Sequence, residues 1–350
     1  MARTRFVLAV DGGNSKTDVA VVSEHGQVVA TGRSGPFAPQ RDGVATAVDV
    51  VRAALPDGIP AFDTSFDTSF DTSFDTASAP ASGPASGPAF DHVSACLAGA
   101  DLPVEEDALA REFAARGFGA DVVVRNDTFA LLRAGASAAW GVAVVCGAGI
   151  NAVGVSPTGE VARFPALGRI SGDWGGGHGL AEEALWHAAR AEDGRGVPTA
   201  LTGLVTSHFG MATVADLVLG LHFGHVDEGR LHELSPGVLA AAGDGDAVAR
   251  SLVERQAEEV IVLAEVCLRR LGLLETPAEV VLGGGLLRAR DPLMTSLLDT
   301  GFALRAPRAK LVVADAPPIM GAALLGLEHL GAAEPALSRL RAHYEPDTTP

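Results

Sequence analysis

The sequence is poor in the residues that mark disulfide-linked or metal-cluster proteins. Its three cysteines, Cys96, Cys146 and Cys267, stand far apart in apolar sequence and form no C-x-x-C pair. This spacing predicts neither a disulfide framework nor a cysteine-ligated zinc or iron–sulfur site. No stretch approaches the roughly 18 uninterrupted apolar residues of a membrane span, and the N-terminus has no signal-peptide cleavage pattern. We therefore expect a soluble, cytoplasmic protein without a membrane partner.

Positive charge is also scarce. Lys and Arg total 26 against 43 Asp and Glu, which gives a formal net charge of −17 at pH 7. Binding of nucleic acid requires a basic face that attracts the phosphate backbone, so this charge argues against nucleic acid as a partner. Only two lysines occur, Lys16 and Lys310, and the first lies in the most informative motif of the chain.

That motif lies in residues 6–31, where an apolar run ends at Asp11 and continues as Gly-Gly-Asn-Ser-Lys-Thr. Glycines let backbone N–H groups approach a ligand closely, and Ser15, Lys16 and Thr17 supply donors suited to phosphate oxygens. Asp11, at the strand end, is placed to hold a hydrated cation. The motif is not a Walker loop, because serine precedes the lysine and a strand follows. It predicts a nucleotide-phosphate clamp; the alternative is an ordinary Gly-Asn hairpin.

A second glycine hairpin follows the same order of elements. Residues 141–155 contain an apolar strand, a Gly-Ala-Gly turn followed by the polar Asn151, and a second strand, and a turn at Gly159 leads to a third. Self-similarity within one chain is a stronger signal than either copy alone. It predicts two matching half-domains whose glycine hairpins hold a polyphosphate from both sides.

Residues 56–90 interrupt the regular pattern. The tetrapeptide Phe-Asp-Thr-Ser recurs from Phe62 onward, and a Pro/Gly/Ser-rich run follows it. Because this composition contains no helix or strand pattern, it predicts a flexible surface insertion. The alternative is that the regularly spaced phenylalanines form a docking stripe for a partner.

Elsewhere, apolar periodicity predicts an alternation of strands and helices. Predicted helices cover residues 43–55, 105–116, 126–134, most of 180–273 and a last segment from 317. Predicted strands cover residues 121–124, 279–282 and 312–314, and a further apolar strand over residues 92–101 ends in glycine and a carboxylate. We expect the segment from about residue 335 to be a poorly ordered tail.

Six short motifs occur in a characteristic order. They are Asp11-Gly-Gly-Asn-Ser-Lys-Thr, Ala98-Gly-Ala-Asp101, Asn126-Asp-Thr, Gly147-Ala-Gly-Ile-Asn151, Gly172-Asp-Trp-Gly175 and Leu282-Gly-Gly-Gly285. This series resembles the BadF/BadG/BcrA/BcrD-type ATPase family and, within it, the N-acetylglucosamine kinases. The resemblance implies an α/β fold of two ribonuclease-H-like (actin-like ATPase) domains, with ATP and Mg²⁺ in a nucleotide cleft between them.

The resemblance also implies the domain boundaries. The N-terminal actin-like domain would cover residues 1–125, including the insertion, and the C-terminal one would cover residues 126–316. A final helix over residues 317–334 would return to the N-terminal domain, and residues 335–350 would form the tail.

By the same resemblance, both glycine hairpins contact ATP, and the third glycine run lets the backbone approach the adenosine. The implied ATP ligands are Gly12, Gly13, Asn14, Ser15, Lys16, Thr17, Asn126, Gly147, Ala148, Gly149, Gly283, Gly284 and Gly285. Asp11 is the implied ligand of the metal.

Asp101 matches the catalytic aspartate of the family. Phosphoryl transfer to a sugar hydroxyl needs a carboxylate that orients the attacking O–H and accepts its proton. Asp127 competes for this role, since hexokinase-like relatives use an aspartate in an Asn-Asp motif. Alternatively, Asp127 contacts the metal or a sugar hydroxyl, or it only caps a helix. We favour Asp101 as the base.

The sugar itself is less well specified. The implied substrate ligands are Asp101, Asn151, Gly168, Asp173 and Gln40. Amino-sugar kinases of the family carry a sugar-binding Asn after the third strand, and here Gln40 is the candidate substitute. Trp174 also stands where those kinases place an acidic residue. These departures leave the identity of the sugar open.

The leading interpretation is an ATP-dependent kinase that phosphorylates a hydroxyl, the 6-hydroxyl first, of an amino sugar such as N-acetylglucosamine. Glucosamine, N-acetylmuramic acid or another hexose are alternative substrates. Two other functions are an ATPase activator of a radical dehydratase, which the cysteine arrangement disfavours, and a non-catalytic sugar sensor. The oligomeric state is open, with a homodimer as one option.

Overall fold

The computed structural model describes residues 3–56, 89–119 and 121–345. The Phe-Asp-Thr-Ser repeat, and with it the predicted docking stripe, lies outside the described residues.

The chain divides into two compact units. The first comprises residues 1–139 together with residues 314–350, and the second comprises residues 140–313.

The first unit opens with strands and short helices. These are β1 (Phe6–Gly12), β2 (Thr17–Ser23), β3 (Val28–Ser34), α1 (Pro39–Asp42), α2 (Val44–Ala54), β4 (His92–Leu97), α3 (Pro103–Ala115), β5 (Val122–Asn126) and α4 (Asp127–Gly135).

The second unit inserts a helical region between its strands. Its elements are β6 (Gly141–Cys146), β7 (Ile150–Val155), β8 (Val161–Arg163), α5 (Gly176–Glu192), α6 (Leu201–Phe209), α7 (Val214–His222), α8 (Ser235–Gly243), α9 (Ala247–Arg270), β9 (Glu279–Gly283), α10 (Gly285–Arg288), α11 (Pro292–Arg305) and β10 (Lys310–Val313). Two 3₁₀ helices, Gly168–Ser171 and Glu228–Leu234, lie among them. The chain then returns to the first unit as α12 (Pro318–His329) and α13 (Glu334–Tyr344).

The two sheets have the same topology. The first has the strand order β3-β2-β1-β4-β5, in which β3, β2 and β1 pair antiparallel while β1, β4 and β5 pair parallel. The second sheet, β8-β7-β6-β9-β10, repeats both the order and the pairing directions. This strand-for-strand match confirms the predicted duplication and the α/β fold class.

The register of the first sheet aligns the motifs at one edge. Gly12 pairs with Leu97, and Leu97 pairs with Asn126. Because β1, β4 and β5 are parallel, the motifs that follow these three strands all emerge at the same edge of the sheet.

The apolar run of β1 lacks polar alternation because both faces of the sheet are covered. Leu8 and Val10 pack with the cluster that includes α2 and α3, whereas Val7 and Ala9 pack with the cluster that includes α12. All four side chains are fully buried.

Helix α12 is rich in small residues because it lies close to its neighbours. A Cβ atom on Gly321 would lie 1.9 Å from the carbonyl oxygen of Ala130 in α4, and one on Gly326 would lie 2.4 Å from Val7 Cγ1. The glycines therefore allow an approach that larger residues would prevent.

Two predicted boundaries are wrong. The chain leaves the first unit after Ala139, not after residue 125, because α4 packs against α12 in that unit. The predicted tail contains α13, which forms because Leu337 and Leu340 bury an apolar face against the cluster around α12.

Among the described residues, no single helix has the length and apolar composition needed to cross a membrane. Helices α6 and α7 taken together meet that criterion by length and composition, with a bend of 54° between them.

Candidate active site

The β1–β2 turn of the first unit carries the first glycine motif. The N–H of Gly13 donates to the carbonyl of Lys16 at 2.9 Å and closes the turn. Asn14, Ser15 and Lys16 lie exposed at its tip, where their polar groups face solvent. The polar groups at the tip are therefore accessible from solvent.

Gly12 is required by packing. A Cβ atom here would lie 2.7 Å from Leu97 Cδ2 and 3.0 Å from Phe37 Cγ. The backbone carbonyl of Gly12 also accepts from the Ala98 N–H at 2.6 Å, and that of Gly13 accepts from the Phe37 N–H at 2.9 Å. These bonds fix the turn to the segments that follow β3 and β4.

Two predicted phosphate ligands have other partners. Thr17 is fully buried, and its hydroxyl donates to the Gly35 carbonyl at 2.9 Å, so it joins β2 to the segment after β3. This position argues against a direct phosphate contact for Thr17. The Lys16 ammonium contacts Asp18 at 2.5 Å, and Arg33 contacts the same carboxylate. Lys16 would have to share its charge between Asp18 and a phosphate.

Asp11 and Asp127 are two carboxyl groups of the first unit whose pKa values are raised. Burial, followed by repulsion from Asp127 and Asp18, raises the pKa of Asp11 to about 7, while Lys16 acts against this rise. Burial alone raises the pKa of Asp127 to about 6, against the lowering effect of nearby backbone N–H groups. Asp18 differs from both, since hydrogen bonds from Arg33 and Lys16 outweigh burial and lower its pKa. Two half-buried carboxylates that repel each other form a place where a cation is favourable.

Asp101 follows β4 and is held in place by hydrogen bonds. Asn126 Nδ2 donates to Asp101 Oδ1 at 2.8 Å, and Asn126 Oδ1 accepts from the N–H and the hydroxyl of Thr128. The carboxylate of Glu105 accepts from the N–H groups of Asp101 and Leu102 at 3.0 and 2.9 Å, which is the glutamate half of a capping box. The Asp101 backbone and carboxyl are therefore both oriented.

Asn126 is one of the predicted ATP ligands, but its amide lies buried between Asp101 and Thr128. This position favours a role in orienting Asp101. Asp127, the next residue, begins α4 and remains half-buried.

Gln40, a predicted sugar ligand, also contacts the protein. Its Nε2 donates to the carbonyl of Gly99 at 2.8 Å and to Glu105 Oε1 at 3.1 Å. A Cβ atom on Gly99 would lie 2.3 Å from Gln40 Oε1. Gln40 therefore braces the segment that carries Asp101, which favours an indirect role.

In the second unit, the β6–β7 turn carries the second glycine motif. The carbonyls of Gly147 and Ala148 accept from the N–H groups of Gly177 and His178 at the start of α5, at 2.7 and 2.9 Å. Cβ atoms on Gly147 or Gly149 would meet nothing within 4 Å. Packing among the described residues does not require glycine there, whereas close approach of a ligand would.

Glycines flank this turn on both sides. A Cβ atom on Gly176 would lie 2.4 Å from the backbone of Gly149, and one on Gly284 would lie 2.3 Å from the backbone of Cys146. Gly285, next along the chain, is exposed and faces open space, whereas Gly283 is buried at the end of β9. The second and third glycine motifs thus lie against each other within the second unit, with Gly149 and Gly285 exposed.

The predicted sugar residues of the second unit lie in two places. Asp173 Oδ2 accepts from the Ser171 hydroxyl at 2.5 Å, and the Asp173 N–H donates to the Gly168 carbonyl at 3.1 Å, so these residues form one compact loop. Asn151 lies on β7, and its Oδ1 accepts from the N–H of Ala152. Trp174 is buried beneath the guanidinium of Arg255, 4.0 Å from its ring centroid, and is a packing residue.

The sequence analysis missed Gln256, which supports the second turn. This residue is fully buried in α9, and its Oε1 accepts from the Gly176 N–H at 2.9 Å. Its signal in the sequence was a single amide within the otherwise apolar face of a long helix. It also missed Glu105, because leucine at the N-cap position 102 has no side-chain oxygen and the sequence therefore lacks the Ser/Thr-x-x-Glu signature of a capping box.

Comparison with known proteins identifies the family of the chain. The profile of the BadF/BadG/BcrA/BcrD ATPase family matches residues 8–326. The chain belongs to this family. Membership of the BadF/BadG/BcrA/BcrD ATPase family implies ATP as a ligand.

Two curated relatives are aligned over most of their length. The N-acetyl-D-glucosamine kinase of Dictyostelium discoideum is 24% identical over 333 residues, covering 93% of this chain and 99% of the relative. The N-acetylmuramic acid/N-acetylglucosamine kinase of Clostridium acetobutylicum is 22% identical over 286 residues, covering 81% and 86%. This member of the BadF/BadG/BcrA/BcrD family is thus a distant homologue of N-acetylglucosamine kinases.

Solved structures show the same fold. A candidate N-acetylglucosamine kinase from Chromobacterium violaceum superimposes with a TM-score of 0.66 at 23% identity, covering 92% of this chain and 98% of that one. A ROK family glucokinase from Streptomyces griseus, in complex with glucose and AMPPNP, gives a TM-score of 0.51 at 16% identity, with coverage of 92% and 99%. The family fold is therefore the actin-like ATPase fold.

Proposed function

We propose that the protein is an ATP-dependent kinase that phosphorylates a hydroxyl of an amino sugar, with N-acetylglucosamine as the first candidate substrate and its 6-hydroxyl as the first candidate acceptor. The distant homology to N-acetylglucosamine kinases supports the substrate class.

The observation that carries the proposal is the convergence of three motifs at one edge of the first sheet. The register places Gly12, Leu97 and Asn126 side by side. The phosphate-type turn, the Asp101 carboxylate and the Asp127 carboxylate therefore follow neighbouring strands. A kinase needs these parts close together: phosphate donors, a base and a cation site.

Asp101 is the proposed base. In the reaction, the oxygen of the sugar hydroxyl attacks the γ-phosphorus of ATP, the bond from that phosphorus to the bridging oxygen breaks, and ADP leaves. The hydroxyl proton passes to the Asp101 carboxylate. The hydrogen bond from Asn126 orients this carboxyl, and Glu105 fixes the backbone that carries it.

Asp11 and Asp127 are the residues that would hold Mg²⁺. Carboxylate oxygens are the donors that this ion prefers, and a bound cation would offset the burial that raises the pKa of each carboxyl. When bound, the ion would neutralise charge on the phosphates.

The glycine turns are the proposed phosphate contacts. The exposed tip at Asn14, Ser15 and Lys16 supplies donors in the first unit. In the second unit, the backbone at Gly147–Gly149 supplies the contact, and the open space beside its glycines supports this assignment. Asp173 and Asn151 are the proposed sugar ligands of that unit.

The other functions find less support. All three cysteines are buried singly, on β4, β6 and α9, and burial raises the pKa of each thiol. Buried, isolated thiols do not form the cluster site that a dehydratase activator needs.

An ADP-release assay with glucose, glucosamine, N-acetylglucosamine and N-acetylmuramic acid tests the proposal. We expect turnover with at least one amino sugar. Asp101→Asn should lower kcat by about 10²–10⁴-fold and leave the KM for ATP nearly unchanged, because it removes the base and spares the nucleotide contacts.

Asp107→Asn, at an exposed position on α3, the helix that follows Asp101, is the matched control and should behave as the parent protein. Absence of turnover on every sugar would contradict the kinase proposal. Retention of activity in Asp101→Asn together with its loss in Asp127→Asn would move the base role to Asp127.

A further inference from the structure

Three side chains that commonly bind metals lie together at the far edge of the first sheet. His92 begins β4, Asp121 immediately precedes β5, and His329 ends α12. One nitrogen or oxygen atom from each lies within 4.8 Å of the other two. Because β4 and β5 are parallel, their starts lie at the edge opposite the one that carries Asp101 and Asn126. The cluster is therefore separate from the candidate active site.

The contacts within this cluster centre on one carboxylate oxygen. Asp121 Oδ2 lies 3.2 Å from His92 Nδ1 and in close contact with His329 Nε2. The two imidazole rings stack with centroids 4.0 Å apart and planes inclined by 7°. Three donors from three separate elements thus surround one small volume.

We propose that His92, Asp121 and His329 bind one divalent transition-metal ion, with Zn²⁺ as the best match. Two imidazoles and one carboxylate are a donor set that zinc accepts in tetrahedral sites, with water completing the fourth position. Mg²⁺ and Ca²⁺ prefer all-oxygen sites and would bind to these three side chains less tightly.

Burial and exposure are distributed as such a site requires. His92 is fully buried at the start of β4, so the surrounding core restricts the movement of its ring. The side chains of Asp121 and His329 are 49% and 37% exposed, so an ion could enter from solvent without opening the core. Asp121 supplies a compensating negative charge, while Arg125 lies near enough to His92 to oppose it in part.

Two features limit the affinity. Parallel stacked rings cannot both direct a nitrogen lone pair at one ion, so the exposed His329 ring must turn on binding. Coordination through His92 Nδ1 also leaves a proton on Nε2, which is buried and has no hydrogen-bond partner among the described residues. Loss of such a supporting bond typically weakens a site by about 10–100-fold, so we expect micromolar binding.

The expected consequence of binding is a link between α12 and the sheet. The ion would join the end of α12 to the starts of β4 and β5, which belong to distant parts of the chain. An ion that binds only the folded protein raises its thermal stability in proportion to the logarithm of its concentration.

Titration of the chelator-treated full-length protein with Co²⁺, without nucleotide, tests this proposal through the visible absorption of the bound ion. Zn²⁺ is then added to displace Co²⁺, and its effect on Tm is measured. We expect one Co²⁺ per chain, displacement by Zn²⁺ and a rise in Tm. His329→Ala and Asp121→Asn should each weaken binding at least about tenfold.

His25→Ala removes an exposed histidine on the β2–β3 turn of the same unit and is the matched control; it should bind Co²⁺ as the parent does. The Tm of each variant without metal checks that its fold is intact. Binding that is equally strong in His329→Ala and Asp121→Asn would overturn the proposal. So would the absence of Co²⁺ and Zn²⁺ binding at submillimolar concentration.

Discussion

Replacement of Asp11 by Asn is expected to stabilise the protein above neutral pH while abolishing its activity. Asp11 is half-buried near Asp127 and Asp18, and these surroundings raise its pKa from 3.8 to about 7. The folded state therefore holds a proton on Asp11 more tightly than the unfolded state does. Stability from this group is fully present below about pH 4 and is lost as the pH rises toward 7.

The size of this effect follows from the pKa. At about 1.4 kcal/mol per pKa unit, ionisation of Asp11 costs up to about 4 kcal/mol of folding free energy at pH 8. Since Asp11 keeps some contact with solvent, about 2–4 kcal/mol is the range to expect. Asparagine has nearly the same shape and carries no charge. Asp11→Asn should thus raise Tm by roughly 5–15 °C at pH 8.

The assay is thermal unfolding in the presence of a chelator, from about pH 4 to about pH 8, for the parent and the variant. The difference in Tm should shrink as the pH falls toward 4, where Asp11 is protonated in the parent. Added Mg²⁺ and ATP should stabilise the parent at pH 8 and not the variant. Loss of turnover in the stabilised variant would separate the functional role of Asp11 from any structural one.

Asp18 provides the matched control, because it pairs with Asp11 across β1 and β2. Its carboxylate contacts Arg33 and Lys16, which lower its pKa. The folding stability that the Asp18 carboxylate contributes is present above about pH 4 and is lost as the pH falls. Asp18→Asn should therefore destabilise the protein at pH 8. A destabilised Asp11→Asn at pH 8, or a stabilisation that does not depend on pH, would refute this electrostatic account.

Two further predictions concern glycines. Gly149→Ala should leave Tm nearly unchanged, because the added methyl group meets open space in the protein, and should raise the KM for ATP, because that methyl group would meet the proposed ligand. Gly176→Ala should lower Tm, because its Cβ would lie 2.4 Å from the Gly149 backbone and its φ is +71°. Equal effects of the two changes on Tm would contradict this distinction. Gly321→Val should destabilise the first unit by several kcal/mol, because its Cβ would lie 1.9 Å from the Ala130 carbonyl oxygen. Urea unfolding measures this change. A variant as stable as the parent would show that α12 and α4 can separate without cost.

Local patterns in the sequence were enough to predict the glycine hairpin that opens each unit. Apolar runs that end in glycine turns determine where β1, β2, β6 and β7 begin and end, and their similarity indicated the duplication that both sheets confirm. The order of short motifs was also sufficient to indicate the family. These signals are local, since each depends on residues within a single hairpin or helix start.

The tertiary structure decided which motif residues have partners inside the protein. Thr17, Asn126 and Gln40 have the chemistry of ligands, but their hydrogen bonds go to Gly35, to Asp101 and Thr128, and to Gly99 and Glu105. Apart from Thr128, which lies two residues after Asn126 and makes a local N-cap contact, these partners come from other elements and leave no trace in local spacing.

The sequence by itself determined the alternation of strands and helices and the two glycine hairpins, because hydrophobic patterning and turn chemistry act over short distances; the family that its motifs resemble implied the fold class and the candidate catalytic residues. Only the tertiary structure decided that Asp11 and Asp127 share one electrostatic environment, that Asp101 is oriented by Asn126, and that α4 and α13 belong to the first unit. Strand register and helix packing join residues far apart in the chain, and the energies of those contacts exist only once the chain has folded.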